Sequence, residues 1–216
     1  MAYPAVYGGY AFHIGDIRTP DTETPSPSLV RDFRAIVAQQ LVQGRAIGWM
    51  SPQESYWLNQ SQHTNTRRFL AAAATTRVRH ASFLVHGRLW RPPVVSLKAL
   101  SGANALSTCV QDHGFDKKGP KSPPLTCCDV PAVVHAAWIT QDGGTLGLIA
   151  ANHLPPELGA NASVRVTATV TVPRTWDQRC CMVKPPHVTS VVGDGVVTVT
   201  LVLPSGAIEV VSLRQK

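Results

Sequence analysis

Apolar positions along this chain recur with two different periods, and the change falls near residue 92. In the first part the repeat is helical. Val30, Phe33, Val37 and Leu41 fall on one face of a helix that Ser28 is placed to cap and that stops near Gly44. A second helix is expected over 61–86, with Leu70, Ala74, Val78, Ala81 and Leu84/Val85 facing the core and arginines on the other side. Between them Ala46-Ile47-Gly48-Trp49-Met50, bounded by Pro52, reads as a short buried strand. Ahead of them Ala5-Val6-Tyr7 and Tyr10-Ala11-Phe12 read as one strand broken at Gly8-Gly9, and residues 19–28, rich in Pro, Thr and Ser, as a loop. Strand, helix, strand, helix is the order of parallel strands joined by crossover helices.

Beyond Arg91-Pro92-Pro93 the period becomes two. Residues 94–97 begin it, and 101–130 read as a long polar surface loop. Residues 133–140 and 145–151 flank Asp142-Gly143, a hairpin signal. Residues 163–172 alternate Val164, Val166, Ala168, Val170 and Val172 with Arg165, Thr167, Thr169 and Thr171. Gly193-Asp194-Gly195 marks a second hairpin and Pro204-Ser205-Gly206 a third. About seven short strands over about 120 residues describe an antiparallel sandwich or barrel.

Composition changes this picture little. The 216 residues are 44% hydrophobic and 15% charged, a globular balance. No stretch approaches the ~20 apolar residues of a membrane helix. Met1-Ala2-Tyr3-Pro4 has no basic or apolar leader character, which points to a cytoplasmic chain, or to a secreted one if the true start lies upstream. The net charge of +7 is uneven: residues 1–100 carry 11 Lys/Arg against 5 Asp/Glu, and 101–216 carry 9 against 8. Much of the excess (Arg67, Arg68, Arg77, Arg79, Arg88, Arg91) reads as a solvated helix face. It lacks the interleaved aromatics of a nucleic-acid surface, so no nucleic-acid partner is expected.

The five cysteines, Cys109, Cys127, Cys128, Cys180 and Cys181, do not have zinc-ligand spacing. They are read as buried thiols or, in an oxidising compartment, as a cross-link between the two adjacent pairs. Sequons at Asn59 and Asn161 would fit secretion. His63, His80 and His86 are not helical i, i+4 partners and have no nearby carboxylate, so no metal site is expected. No phosphate-binding glycine loop and no G-x-S-x-G element is present, which disfavours nucleotide and nucleophile-elbow chemistry and implies no cofactor.

Two strands and two helices cannot close a barrel or protect both edges of a sheet, and a complete (β/α)8 barrel needs roughly 250 residues. Either upstream strands complete the first part or it packs on the second as an accessory. The order of several short motifs resembles the C-terminal part of large glycoside-hydrolase-like proteins, in the style of α-galactosidase barrels. Tyr3-Pro4-Ala5-Val6-Tyr7-Gly8-Gly9-Tyr10 resembles a penultimate barrel strand. Gln39–Gly44 followed by Ile47–Met50 looks like the next helix and the last strand, and Leu89-Trp90-Arg91-Pro92-Pro93 like the exit into a C-terminal β-domain. Trp138, Asp142-Gly143, Leu148 and Asn152 resemble that domain's central hairpin, and residues 199–212 its closing hairpin.

The resemblance implies an α+β chain: the last two βα units of a (β/α)8 barrel over residues 1–91, then an antiparallel β-sandwich over 92–216. It implies a carbohydrate partner, a polysaccharide or glycoside, with the oligomeric state open. Glycoside hydrolysis takes two carboxylates placed across the scissile bond. In barrels of this style both arise from earlier strands, upstream of Met1, so the chain is not expected to be catalytically competent alone. Asp16 and Glu54, each after a predicted strand, are the weak catalytic candidates here, and more simply loop carboxylates. Trp49 at a strand end, Tyr7 and Tyr10 are candidates for substrate contact because sugar C–H faces stack on aromatic rings, and His13, beside Asp16, is a candidate to position a substrate hydroxyl, or more simply a local loop contact. Core packing is the plainer reading of these aromatics, and of Tyr56 and Trp57. The alternative is a non-catalytic β-sandwich module that binds polysaccharide or a protein partner. If the first part needs missing strands, the 92–216 fragment should be more soluble than the whole chain.

Overall fold

The computed structural model describes residues 27–47, 57–100, 107–111, 127–156, 163–176, 182–184, 189–193 and 195–214. Helix α1 spans Pro27–Val42. Proline at its first position costs no hydrogen bond, because that N–H would lack an intrahelical partner anyway. The helix therefore begins one residue ahead of the expected cap, Ser28. Its C-terminus closes as the sequence predicts. Gly44 takes φ +70°, its N–H donates to Leu41 O at 2.9 Å, and Arg45 N–H donates to Gln40 O at 2.9 Å. This paired closure is the Schellman motif, which favours glycine at its left-handed position. Of the expected strand at 46–50, residues 48–50 lie outside the described residues.

The expected second helix divides into a 3-10 turn at Ser61–His63, α2 at Thr64–Arg79 and a short α3 at Ala81–Leu84. Its buried face differs from the expected one. Thr66, Phe69 and Ala73 are buried, whereas Ala74 is exposed and Val78 is 78% exposed. Phe69 sets the rotation, because the bulkiest apolar side chain of α2 takes the core. Arg77 shares that side: its guanidinium donates to Leu84 O at 2.9 Å and ties the end of α2 to α3.

The strands are β1 (Arg88–Leu89), β2 (Val94–Ala99), β3 (Ser107–Gln111), β4 (Cys127–Pro131), β5 (Val133–Ile139), β6 (Thr145–Asn152), β7 (Val164–Thr171), β8 (Met182–Lys184), β9 (Thr189–Gly193), β10 (Val196–Leu203) and β11 (Ile208–Arg214). All their described pairings are antiparallel. One sheet has the order β1-β5-β6-β11-β8 and a second has β2-β7-β10-β9. Strands β3 and β4 form a separate ribbon inside the region expected to be loop. In it Cys109 lies opposite Asp129, Cys128 opposite Val110 and Cys127 opposite Gln111; Cys180 and Cys181 lie outside the described residues.

Alternation puts one face of each large sheet into a shared core. Val133, Ala137, Leu146, Leu148, Val211 and Leu213 of the first meet Val164, Val166, Val170, Val197, Val199 and Leu201 of the second. Trp176 closes one margin of this core and donates Nε1–H to Gly143 O at 3.0 Å. The expected antiparallel pairs form on either side of 141–144, between β5 and β6, and between β9 and β10. Pro204-Ser205-Gly206 does not make a hairpin. Strand β10 pairs with β7 and β9, whereas β11 pairs with β6 and β8, so this turn carries the chain from one sheet to the other.

The outer face of the five-stranded sheet is also apolar. Trp138, Ile149, Ala151, Val134, Ala136, Ile208 and Val210 form a second core with Phe33, Val37, Leu41, Trp57, Phe69, Phe83 and Leu84 of the helical part. Strand β6 is accordingly buried on both faces. The described chain is therefore mixed α+β, a helical layer on one of two facing antiparallel sheets.

Two outcomes follow from this layering. A Cβ at Gly44 would lie 2.6 Å from the Trp138 ring at a backbone conformation that already disfavours side chains. Gly44→Ala should cost about 2 kcal/mol or more, read as a lower urea midpoint with an unchanged slope. The helical cover also reverses the solubility order expected from the sequence. The 92–216 fragment, stripped of that cover and of β1, should aggregate more readily than the whole chain in size-exclusion and light-scattering runs.

Candidate functional site

The residues that carry the resemblance within β5 and β6 each have a structural task. Trp138, on the outer face of β5, is buried and donates Nε1–H to Val42 O at 2.9 Å. Its ring covers Gly44, so one side chain both fills the helix–sheet gap and satisfies a helix-end carbonyl. Asp142 closes the β5–β6 turn. Its Oδ1 accepts from Thr140 Oγ1 at 2.5 Å and from Gly144 N–H at 2.9 Å. The Thr140 hydroxyl, then the Gly144 amide, hold this carboxyl below its usual range, as hydrogen bonds to an ionised acceptor do. Leu148 faces the inter-sheet core.

Asn152, the last residue of β6, is fully buried. Its Nδ2 donates to Leu203 O at 3.1 Å and its Oδ1 accepts from Leu154 N–H at 3.2 Å. Its main chain exchanges bonds with the sheet-to-sheet turn: Asn152 N–H donates to Ala207 O and Gly206 N–H donates to Asn152 O, both at 2.9 Å. One amide thus holds the point where β10 leaves its sheet and β11 enters the other.

Arg34 completes a buried polar junction at this point. It is 1% exposed, on α1. Nε donates to His153 O at 2.8 Å, Nη2 to Leu154 O at 3.0 Å and Nη1 to Asn65 O at 3.3 Å. The guanidinium plane lies 4.4 Å from the Phe69 ring centroid, a cation–π contact. The fixed fork of arginine suits carbonyls arriving from α2 and from the segment after β6. Gly206, at φ +73°, leaves room for it, since a Cβ there would lie 3.0 Å from Nη2. His153 is fully buried, with Nε2 2.9 Å from Pro131 O. A carbonyl only accepts, so Nε2 carries the proton and Nδ1 keeps its lone pair. Burial, aided by the Arg34 charge and opposed by the Pro131 bond, pushes His153 down to about 4. The junction binds the helices, β4, β6 and the β10–β11 turn together. These bonds run to main-chain groups, and Arg34, Asn152 and His153 are all buried.

The expected site residues fall elsewhere. Tyr7, Tyr10, His13, Asp16, Trp49 and Glu54 all lie outside the described residues, as does Tyr56. Trp57 is described and is core. It is 1% exposed, edge-on to Phe33 at 5.4 Å and to His63 at 4.8 Å. His80 lies near-parallel to Phe83 at 6.4 Å. Among the described residues no group of three His, Cys, Asp or Glu could hold a metal ion, and no helix is long and apolar enough to cross a membrane. Arg34 and His153 were missed in the sequence. A signal existed for Arg34: it sits four residues after Val30, three before Val37 and seven before Leu41, inside the apolar stripe of its helix.

Comparison with known proteins relates the chain to a glycoside-hydrolase-like protein. The chain is similar to a protein of Monosiga brevicollis named "Putative glycoside hydrolase 22789", with 26% identity over 199 residues. The match covers 82% of this chain and 14% of that relative, so the chain spans a small share of the relative's length. No family model matches the chain, and no solved structure matches it.

The junction makes stability depend on acid. Free histidine titrates at 6.5 and folded His153 at about 4, so the folded state disfavours the proton. Its contribution is complete above pH 6.5 and is lost as pH falls through 4, about 3 kcal/mol in all. Urea midpoints should therefore drop between pH 6.5 and 4, and His153→Gln should remove most of that slope. His135, also lowered by burial, supplies a smaller part. Asn152→Ala should cost about 3 kcal/mol at neutral pH, because it strands buried main-chain partners.

Proposed function

We propose that this chain is a supporting segment of a glycoside-hydrolase-like protein, comprising the last two βα units of a (β/α)8 barrel in residues 1–91 and a β-sandwich in 92–216. The observation that carries the reading is the similarity to the Monosiga brevicollis protein, which runs over most of this chain but a small share of that one. Two further facts support it. The motif residues Trp138, Asp142 and Asn152 hold the fold rather than face a cleft. The helices of the first part lie on the outer face of the five-stranded sheet, as a barrel wall resting on a C-terminal domain would. In this reading the chain orients and stabilises a catalytic barrel whose two carboxylates come from earlier strands, and its partner is a carbohydrate bound by the intact protein.

The test is an assay of residues 1–216 against a panel of aryl-glycosides, run beside immunodetection of the native protein in its source. No turnover is expected, and a native mass well above 23.2 kDa. Turnover that Asp16→Asn or Glu54→Gln abolishes would overturn the reading by placing the acid and base within this chain.

A further inference from the structure

The two large sheets differ in what covers them. Helices bury the outer face of one, whereas in the β2-β7-β10-β9 sheet none of the described outward positions of β2, β7 or β10 is buried. Val94 is 77% exposed there, and Ser96, Lys98, Arg165 and Val202 are exposed as well. Alternation and register set out this face in rows. Ser96, Thr167 and Thr200 lie side by side across β2, β7 and β10. Lys98, Arg165 and Val202 form the next row, two residues or ~7 Å along the strands. Within the hydroxyl row Thr167 and Thr200 pair at 3.4 Å between their hydroxyls, and on its other side Thr169 and Thr198 pair at 3.1 Å.

Lys98 and Arg165 are directly opposite each other. Like charges in that position cost stability. No Asp or Glu occupies a described outward position of β2, β7 or β10 to offset them. A sheet that sets two cations together on an exposed face, beside a bank of hydroxyls, is complementary to an anion that also carries hydroxyls.

We propose that this open face docks an anionic polysaccharide lying across the strands, its acidic groups on Lys98 and Arg165 and its hydroxyls on Ser96, Thr167 and Thr200. A pyranose unit is about as long as one strand spacing, ~4.8 Å, so successive sugars can meet successive strands. Val202 offers methyl groups to a sugar C–H face beside the cation pair. Nucleic acid is the poorer fit, because no described outward position of β2, β7 or β10 carries an aromatic ring on which a base could stack. The choice of a glycan rests on the glycoside-hydrolase-like reading. The binding itself needs no hydrolysis, so it can fail while that reading stands, and the reverse.

The experiment is affinity electrophoresis and calorimetry of the 1–216 chain at low salt. The probes are polygalacturonate, heparin, neutral dextran and a single-stranded oligodeoxynucleotide. Binding to at least one anionic glycan and none to dextran is expected; the polygalacturonate and heparin arms tell a uronate from a sulfate ligand. Lys98→Glu/Arg165→Glu should weaken that binding at least tenfold while the chain melts as the wild type does. Should the reversed charges prevent folding, Lys98→Gln/Arg165→Gln serves in their place. Thr167→Val/Thr200→Val should weaken glycan binding severalfold and leave oligonucleotide binding unchanged. The proposal is overturned if neither anionic glycan binds, if the charge variants bind as wild type does, or if the valine variants bind both polymers undiminished.

Discussion

The apolar outer face of the five-stranded sheet is the constraint on which the rest of this structure depends. A sheet with one buried face can leave its other face to water, and the four-stranded sheet does so with threonines. The five-stranded sheet cannot, because Trp138, Ile149, Val134 and Ile208 turn outward. The helices exist to meet that surface, and the ring of Trp138 seats closely over Gly44. The tryptophan, the left-handed glycine and the Val42 carbonyl form one device, in which a helix terminus and a sheet face satisfy each other.

Burying a second face brings a polar problem at the sheet's end, where strands stop and main-chain groups lose their ladder partners. Arg34, Asn152 and His153 answer it with side chains. The bonds they make reach main-chain atoms at four separate places in the chain: Asn65, Pro131, His153–Leu154 and Leu203. A buried arginine serves here because its donors diverge, so one group can gather carbonyls from two segments. The motif that resembles glycoside-hydrolase-like proteins therefore marks a way of holding sheets and helices together.

How much of this could be read from the sequence varies with the kind of signal. Period-two alternation is local, so Val164–Thr171 and Val196–Leu203 were legible, as were the turns at Asp142-Gly143 and Gly195. The end of α1 was legible because Gly44 announces a left-handed cap. The face of α2 was not. Leu70, Ala74 and Val78 make a fair apolar stripe, and only packing reveals that Phe69 on a neighbouring stripe takes the core. The turn at Pro204-Ser205-Gly206 looks the same in sequence whether it returns within a sheet or crosses to another, because the pairing that decides is long-range. The residues Tyr7, Tyr10, His13, Asp16, Trp49 and Glu54 were chosen for placement at strand ends, and they fall outside the described residues, so the candidate site remains a reading of sequence.

The crossing of that turn has a consequence for how the chain matures. Strand β11 is the last of the described strands to be synthesised, yet it sits inside the five-stranded sheet, between β6 and β8, and contributes to both cores. While it is still within the ribosome, β6 has an open edge and the helices lack part of their floor. Until β11 pairs, a nascent or prematurely terminated chain presents an unpaired, apolar edge of β6 to chaperones and proteases.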